Sequence, residues 1–229
     1  MIYDVFGLFI QTIRGADILA TGYPAASDDA GSFKVFMPDF FGDNPSDITT
    51  FPPKTPAHLK FTMAFMSGPA NPDKTVPLIV PMMEEIKRAH PEIESWAILG
   101  FCWGGKIAAL VSQEESLFKA SGQCHPSLAD TDDAKKVTIP MVFLPSQDED
   151  PEVSEPVVHV TMELIVRSMQ AMDLYAKTLK TASPNSYYET FADQVHGWMT
   201  SRADFNDVRK FEEYLRGYRV ARTFFSQFL

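Results

Sequence analysis

Ala97-Ile-Leu-Gly-Phe-Cys-Trp-Gly-Gly105 runs from an apolar strand, through a turn with glycines at 100, 104 and 105, into a helix. The spacing is Gly-x-nucleophile-x-Gly, with Cys102 where many hydrolases carry serine. Such a turn is sharp and strained. It lifts the nucleophile off the sheet edge, and side chains larger than glycine two residues away would collide with it. It also sets Cys102 at a helix N-terminus, where the dipole favours a thiolate.

A nucleophile needs a base, and the base needs an orienting group. On a strand–turn–helix scaffold of this kind the chain order is nucleophile, acid, histidine. Downstream, the apolar run 139–144 leads into Pro145-Ser-Gln-Asp-Glu-Asp150, so three adjacent carboxylates stand just past a strand end. Asp148 is preferred as the acid over Glu149 and Asp150. Phe191-Ala-Asp-Gln-Val-His-Gly197 then places His196 in a loop between a strand and the last helix. Cys102, Asp148 and His196 satisfy order and context together. His125, before Pro126, follows Cys102 too closely and precedes any acid, so it reads as pocket-lining or hydrogen-bonded. Cys124 reads as a small buried residue.

Outward from this segment, residues 2–6 and 34–38 read as short strands and 10–21 as an amphipathic helix. Residues 27–31 are a polar turn. Residues 39–56 form a loop too long for a mere connection, the kind that is often functional. Helices are expected over 60–66, 76–90 and 104–113, and strands over 95–100, 118–123, 139–144 and 187–191. A long helix from 203 onward would bury Phe211, Leu215, Val220 and Phe224. Strands alternating with helices predict an α/β fold: a mostly parallel sheet with helices on both faces.

Composition narrows the function. The chain has 229 residues, which suits one domain spanning 1–229. Twenty Lys and Arg against thirty Asp and Glu give a net charge of −10, with no basic cluster to bind nucleic acid or an anionic membrane. Two cysteines make no disulfide framework, and no leader or bilayer-length apolar run is visible, so a cytoplasmic location is expected. No His, Cys or Asp cluster has metal-ligand spacing and no nucleotide loop is evident, so neither metal nor cofactor is expected. The expected partner is a small molecule, with the chain a monomer or homodimer.

GFCWGGK, with QVHGWMTSR downstream, resembles the dienelactone hydrolase family, in particular its fungal branch. IYDVFG, KVFMPDFFGD, His125-Pro-Ser127 and SQDEDP extend the resemblance over nearly the whole chain. It implies an α/β-hydrolase fold, a Cys102–Asp148–His196 triad, and an oxyanion hole from the backbone N–H groups of Val5 and Trp103. It implies that Asp4 contacts the resting thiol and keeps it protonated until substrate arrives. Arg202 stands near Thr200, the position of a substrate-binding arginine in the bacterial enzymes, and Trp198 and His125 are expected beside the substrate.

Two departures carry expectations of their own. Family members have one or two strands before IYDVFG, so the sheet is expected to lack its first N-terminal strands. Residues 153–170 interrupt a short passage into a helix; without them, DEDPEAMDLYAKTLK reads as an unbroken helix start. The stretch opens with Val-Ser and closes with Gln, whose codons allow the ends of an intron, and it is expected to be an in-frame retained one. The activity expected is hydrolysis of a carboxylic ester, lactone or thioester through a covalent acyl-enzyme. The alternative is a catalytically silent binding protein on the same fold.

Overall fold

Among the described residues, four short parallel strands form the sheet: β1 (Ala97–Phe101), β2 (Ala120–Cys124), β3 (Met141–Leu144) and β4 (Tyr187–Tyr188) lie side by side in that order. The computed structural model describes residues 1–22, 33–149 and 162–229, the side chains of 162–168 excepted. Parallel neighbours cannot be joined by a hairpin. Helices α4 (Trp103–Leu110), α5 (Thr131–Ala134) and α6 (Met162–Ala182) lie in the successive crossovers.

Successive strand residues point to opposite faces, and both faces are covered. Leu99, Phe101, Cys124, Val142 and Leu144 pack with α1 (Ile10–Thr21) and α7 (Val208–Phe225) through Leu19, Tyr214, Tyr218 and Phe225. Met141 and Phe143 face α6, against Met172, Tyr175 and Leu179. Ile98 joins Ile79 and Met83 of α3 (Pro72–Ala89), while α2 (Pro56–Ser67) adds Phe65 to the same cluster. The expected α/β architecture is thus present.

The helix expected over 10–21 is α1, which buries Thr12, Gly15 and Leu19 at helical spacing. A Cβ at Gly15 would lie 2.0 Å from the Tyr218 hydroxyl, so the glycine lets α1 and α7 cross closely. Of the buried positions expected on α7, Leu215 and Phe224 are buried, whereas Phe211 and Val220 are half-buried.

Two expected strands do not form. Residues 2–6 make one bridge, Ile2 to Gly100: the Ile2 N–H donates to Leu99 O at 2.8 Å and Phe101 N–H donates to Ile2 O at 3.0 Å. The chain then turns away, because the Asp4 side chain accepts the Phe6 N–H and draws the backbone into a turn. Residues 34–38 have strand composition but no ladder partner among the described residues. The polar turn expected over 27–31 lies outside the described residues. So do residues 153–161 of the stretch 153–170, whereas 162–170 belong to α6, which runs unbroken across the 170–171 junction. A groove of about 680 Å³ follows the outer edge of β1, lined by Ile79, Met83, Ile86, Trp96, Phe118 and Phe225; it includes none of Cys102, Glu149 and His196.

Candidate active site

Cys102 ends β1 and caps α4, with φ 55° and ψ −118°. A left-handed backbone at a non-glycine residue stores strain that its surroundings must hold. Here Cys102 N–H donates to Cys124 O at 3.1 Å, and Cys102 O accepts the N–H groups of Gly105 at 3.0 Å and Ser127 at 3.2 Å. Two of the three glycines are sterically required. A Cβ at Gly100 would sit 1.9 Å from Gly104 O, and one at Gly104 would sit 2.5 Å from Ile2 O. A Cβ at Gly105 would meet nothing closer than 3.5 Å, an ordinary contact, so that glycine is not demanded by space.

The close approach at Gly104 has a second consequence. Ile2 and Tyr3 pass directly over the start of α4, which brings the Val5 turn to the same end of the sheet. Ser46 N–H donates to Val5 O at 2.9 Å and fixes that peptide. Among the described residues the Val5 N–H donates to nothing. The Trp103 N–H is the first of α4 and has no carbonyl one turn back within the helix.

His196 stands between Phe191, bridged to Ser146 beyond β3, and α7. Its Nδ1 is hydrogen-bonded to Glu149 Oε2, not to Asp148. Asp148 instead accepts the His196 backbone N–H at 2.6 Å and Ser146 Oγ at 3.1 Å. This corrects the expected imidazole partner. Gln147 N–H donates to Gln194 O at 3.1 Å, so the two loops run together and Asp148 meets backbone. The longer Glu149 side chain reaches the ring; its other oxygen accepts the Ser146 N–H at 2.7 Å and the Ser146 hydroxyl. Asp150 lies outside the described residues.

Burial pulls the His196 pKa down, but the charges of Glu149 and Cys102 and hydrogen bonds to both outweigh it and hold the imidazole well above its usual value. Glu149 thus holds Nδ1, and Cys102 is near enough to act on the same ring. His125 is opposite in character. Burial first, then the positive charge of His196, pushes it well below its usual value, so it stays neutral. Its ring is 5.2 Å from that of His196, and its Nε2 is 3.3 Å from Thr200 Oγ1.

The remaining expected residues fall in three places. Asp4 is buried, and its hydrogen bonds go to Phe6, Thr200 and Ser201, not to the Cys102 thiol as expected. The hydroxyls of Thr200 and Ser201 outcompete a weak S–H donor for its oxygens. Arg202 donates from Nη1 to His196 O at 2.6 Å and stacks on Phe51, 5.5 Å from the ring centre. Trp198 does not line the site. It stacks on Phe191 at 4.2 Å, and it fills the space that a Cβ at Gly217 of α7 would need. Phe51 takes the place beside His196, its ring 5.9 Å away. It comes from the long loop 39–56, whose length was the sequence signal for a functional segment. Phe40 and Phe41 from the same loop pack on Trp103.

The model of the dienelactone hydrolase family matches residues 2–229. An uncharacterized AIM2 family protein of Schizosaccharomyces pombe is 33% identical over 227 residues, which span 99% of this chain and 80% of that protein. A human carboxymethylenebutenolidase homolog is 23% identical over 194 residues, 84% of this chain and 69% of its own. Two solved structures share the fold. One named m3DLH has a TM-score of 0.60 at 14% identity, covering 100% of this chain and 85% of that one. A dienelactone hydrolase-like promiscuous phosphotriesterase from metagenomic libraries has a TM-score of 0.54 at 15% identity, covering 99% and 84%. Among the described residues no helix is long and apolar enough to cross a membrane.

Proposed function

The chain belongs to the dienelactone hydrolase family, and from that premise we propose that it hydrolyses a small carboxylic ester, lactone or thioester through an acyl-cysteine. The observation that carries this reading is His196 hydrogen-bonded through Nδ1 to the buried Glu149 carboxylate, with Cys102 near enough to act on the same ring. Cys102 Sγ attacks the carbonyl carbon with its proton already carried on His196 Nε2. Glu149, in place of Asp148, fixes the ring through Nδ1 and supports the imidazolium. The carbonyl oxygen becomes an oxyanion, received by the N–H groups of Val5 and Trp103, typically about 3–4 kcal/mol per donor. Collapse breaks the bond to the leaving group, and His196 returns the proton to it. Water, deprotonated by His196, then attacks the acyl-thioester and releases the acid and the thiol. Phe51 beside the base suits an apolar or ring-bearing acyl group.

The test is hydrolysis of p-nitrophenyl acetate by this chain and by Cys102→Ala, with intact-mass detection of an acyl adduct. The expected result is activity and an adduct that both disappear in the variant. Equal rates would remove Cys102 from the mechanism. A chain that only binds would form no adduct.

A further inference from the structure

We propose that Asp4 is a positioning residue that anchors the Val5 turn to the loop following His196, and so aims the Val5 N–H at the oxyanion. The proposal rests on the acyl-cysteine reading above. Asp4 Oδ1 accepts the Phe6 N–H at 2.9 Å, closing an Asx turn around Val5. That turn leaves the Val5 N–H outside every hydrogen bond among the described residues. Asp4 Oδ2 accepts three donors from the far end of the chain: Thr200 Oγ1 at 2.5 Å, Ser201 Oγ at 2.7 Å and Ser201 N–H at 3.3 Å.

Four donors thus converge on one buried carboxylate. Moving either segment would strand a buried donor, so the joint is stiff. Thr200 Oγ1 donates its proton to Asp4 and is left to accept from His125 Nε2–H, which fixes the His125 tautomer. The His196 loop has separate anchors in Asp148, Glu149 and Arg202. Asp4 is what holds the Val5 turn to that loop. An oxyanion donor must be placed to a fraction of an ångström to act. The carboxylate expected to guard the thiol serves geometry instead.

The test compares two reactions of Cys102 in the full chain. Acylation by p-nitrophenyl acetate passes through an oxyanion, whereas alkylation by iodoacetamide does not. In Asp4→Asn an amide donor replaces an acceptor among four donors, and the acylation burst should slow by about tenfold or more. Alkylation should stay within about twofold, since it uses the thiol and His196 but no oxyanion donor. Thr200→Val should show the same split more weakly, and Thr200→Ser should recover most of that loss; this pair reads the joint even where Asp4→Asn folds poorly. Unchanged acylation with faster alkylation would overturn the proposal in favour of a thiol guard. An equal loss in both reactions would also overturn it, reducing Asp4 to general support. Absence of an acyl adduct at Cys102 in the unsubstituted chain would overturn the underlying reading, and this proposal with it.

Discussion

At the scale of single residues, Glu149 and Asp148 divide two tasks that one triad acid is usually given. Glu149 holds the His196 ring and Asp148 holds its backbone. Glu149→Gln should therefore lower kcat/KM on a small ester by about 10²–10⁴, because it removes the charge that supports the imidazolium. Asp148→Asn keeps an acceptor for the His196 N–H and should cost less than about tenfold. Steady-state kinetics on the two variants decide the assignment, and a larger loss in Asp148→Asn would reverse it. The sequence offered three carboxylates in a row just past β3 and favoured Asp148, whereas Glu149 meets the His196 ring. Order and strand context are the same for all three, so only the path of the turn distinguishes them.

At the scale of elements, the strand–turn–helix around Cys102 is tightly constrained. Gly100→Ala and Gly104→Ala each force a Cβ onto a backbone carbonyl, whereas Gly105→Ala does not. The first two should destabilise by more than about 2 kcal/mol in urea titrations, and the third by less than about 1 kcal/mol. Comparable losses at all three would show that the turn tightens in some other way. For α6, every buried position among its described side chains falls after residue 170: Met172, Tyr175, Ala176 and Leu179. Met169 and Gln170 are exposed. Joining Glu152 to Ala171 gives an unbroken helix start in the sequence, so deleting residues 153–170 should leave the midpoint of thermal unfolding unchanged or higher. A clear fall would make the stretch an integral part of the domain, and its presence in every mature transcript would exclude a retained intron.

Across the whole molecule, two neighbouring imidazoles bend stability in opposite directions with pH. His196 has a raised folded-state pKa. Its contribution is complete below the unfolded value of about 6.5 and is lost as pH rises through the folded value. His125 has a lowered one. Its contribution is complete above about 6.5 and is lost as pH falls toward the folded value. Together they favour a stability maximum near pH 6.5. Chemical denaturation from pH 5 to 8 should show Glu149→Gln flattening the alkaline side and His125→Asn flattening the acid side. Parallel curves for variants and parent would mean that neither ring titrates as described.

The sequence by itself determined the fold class, the glycine turn around Cys102 and α1. Those features follow from local spacing: helical and strand periodicity, and glycines that only a sharp turn requires. It misread residues 2–6 and 34–38, because a strand exists only where a neighbour supplies a ladder, and β1 gives its edge to Ile2 alone. The tertiary structure decided which carboxylate meets His196, that Trp198 belongs to the core, that Phe51 belongs to the site, and that Asp4 joins residues from opposite ends of the chain. Each of these depends on how distant segments pack together, which residue type and local spacing do not encode.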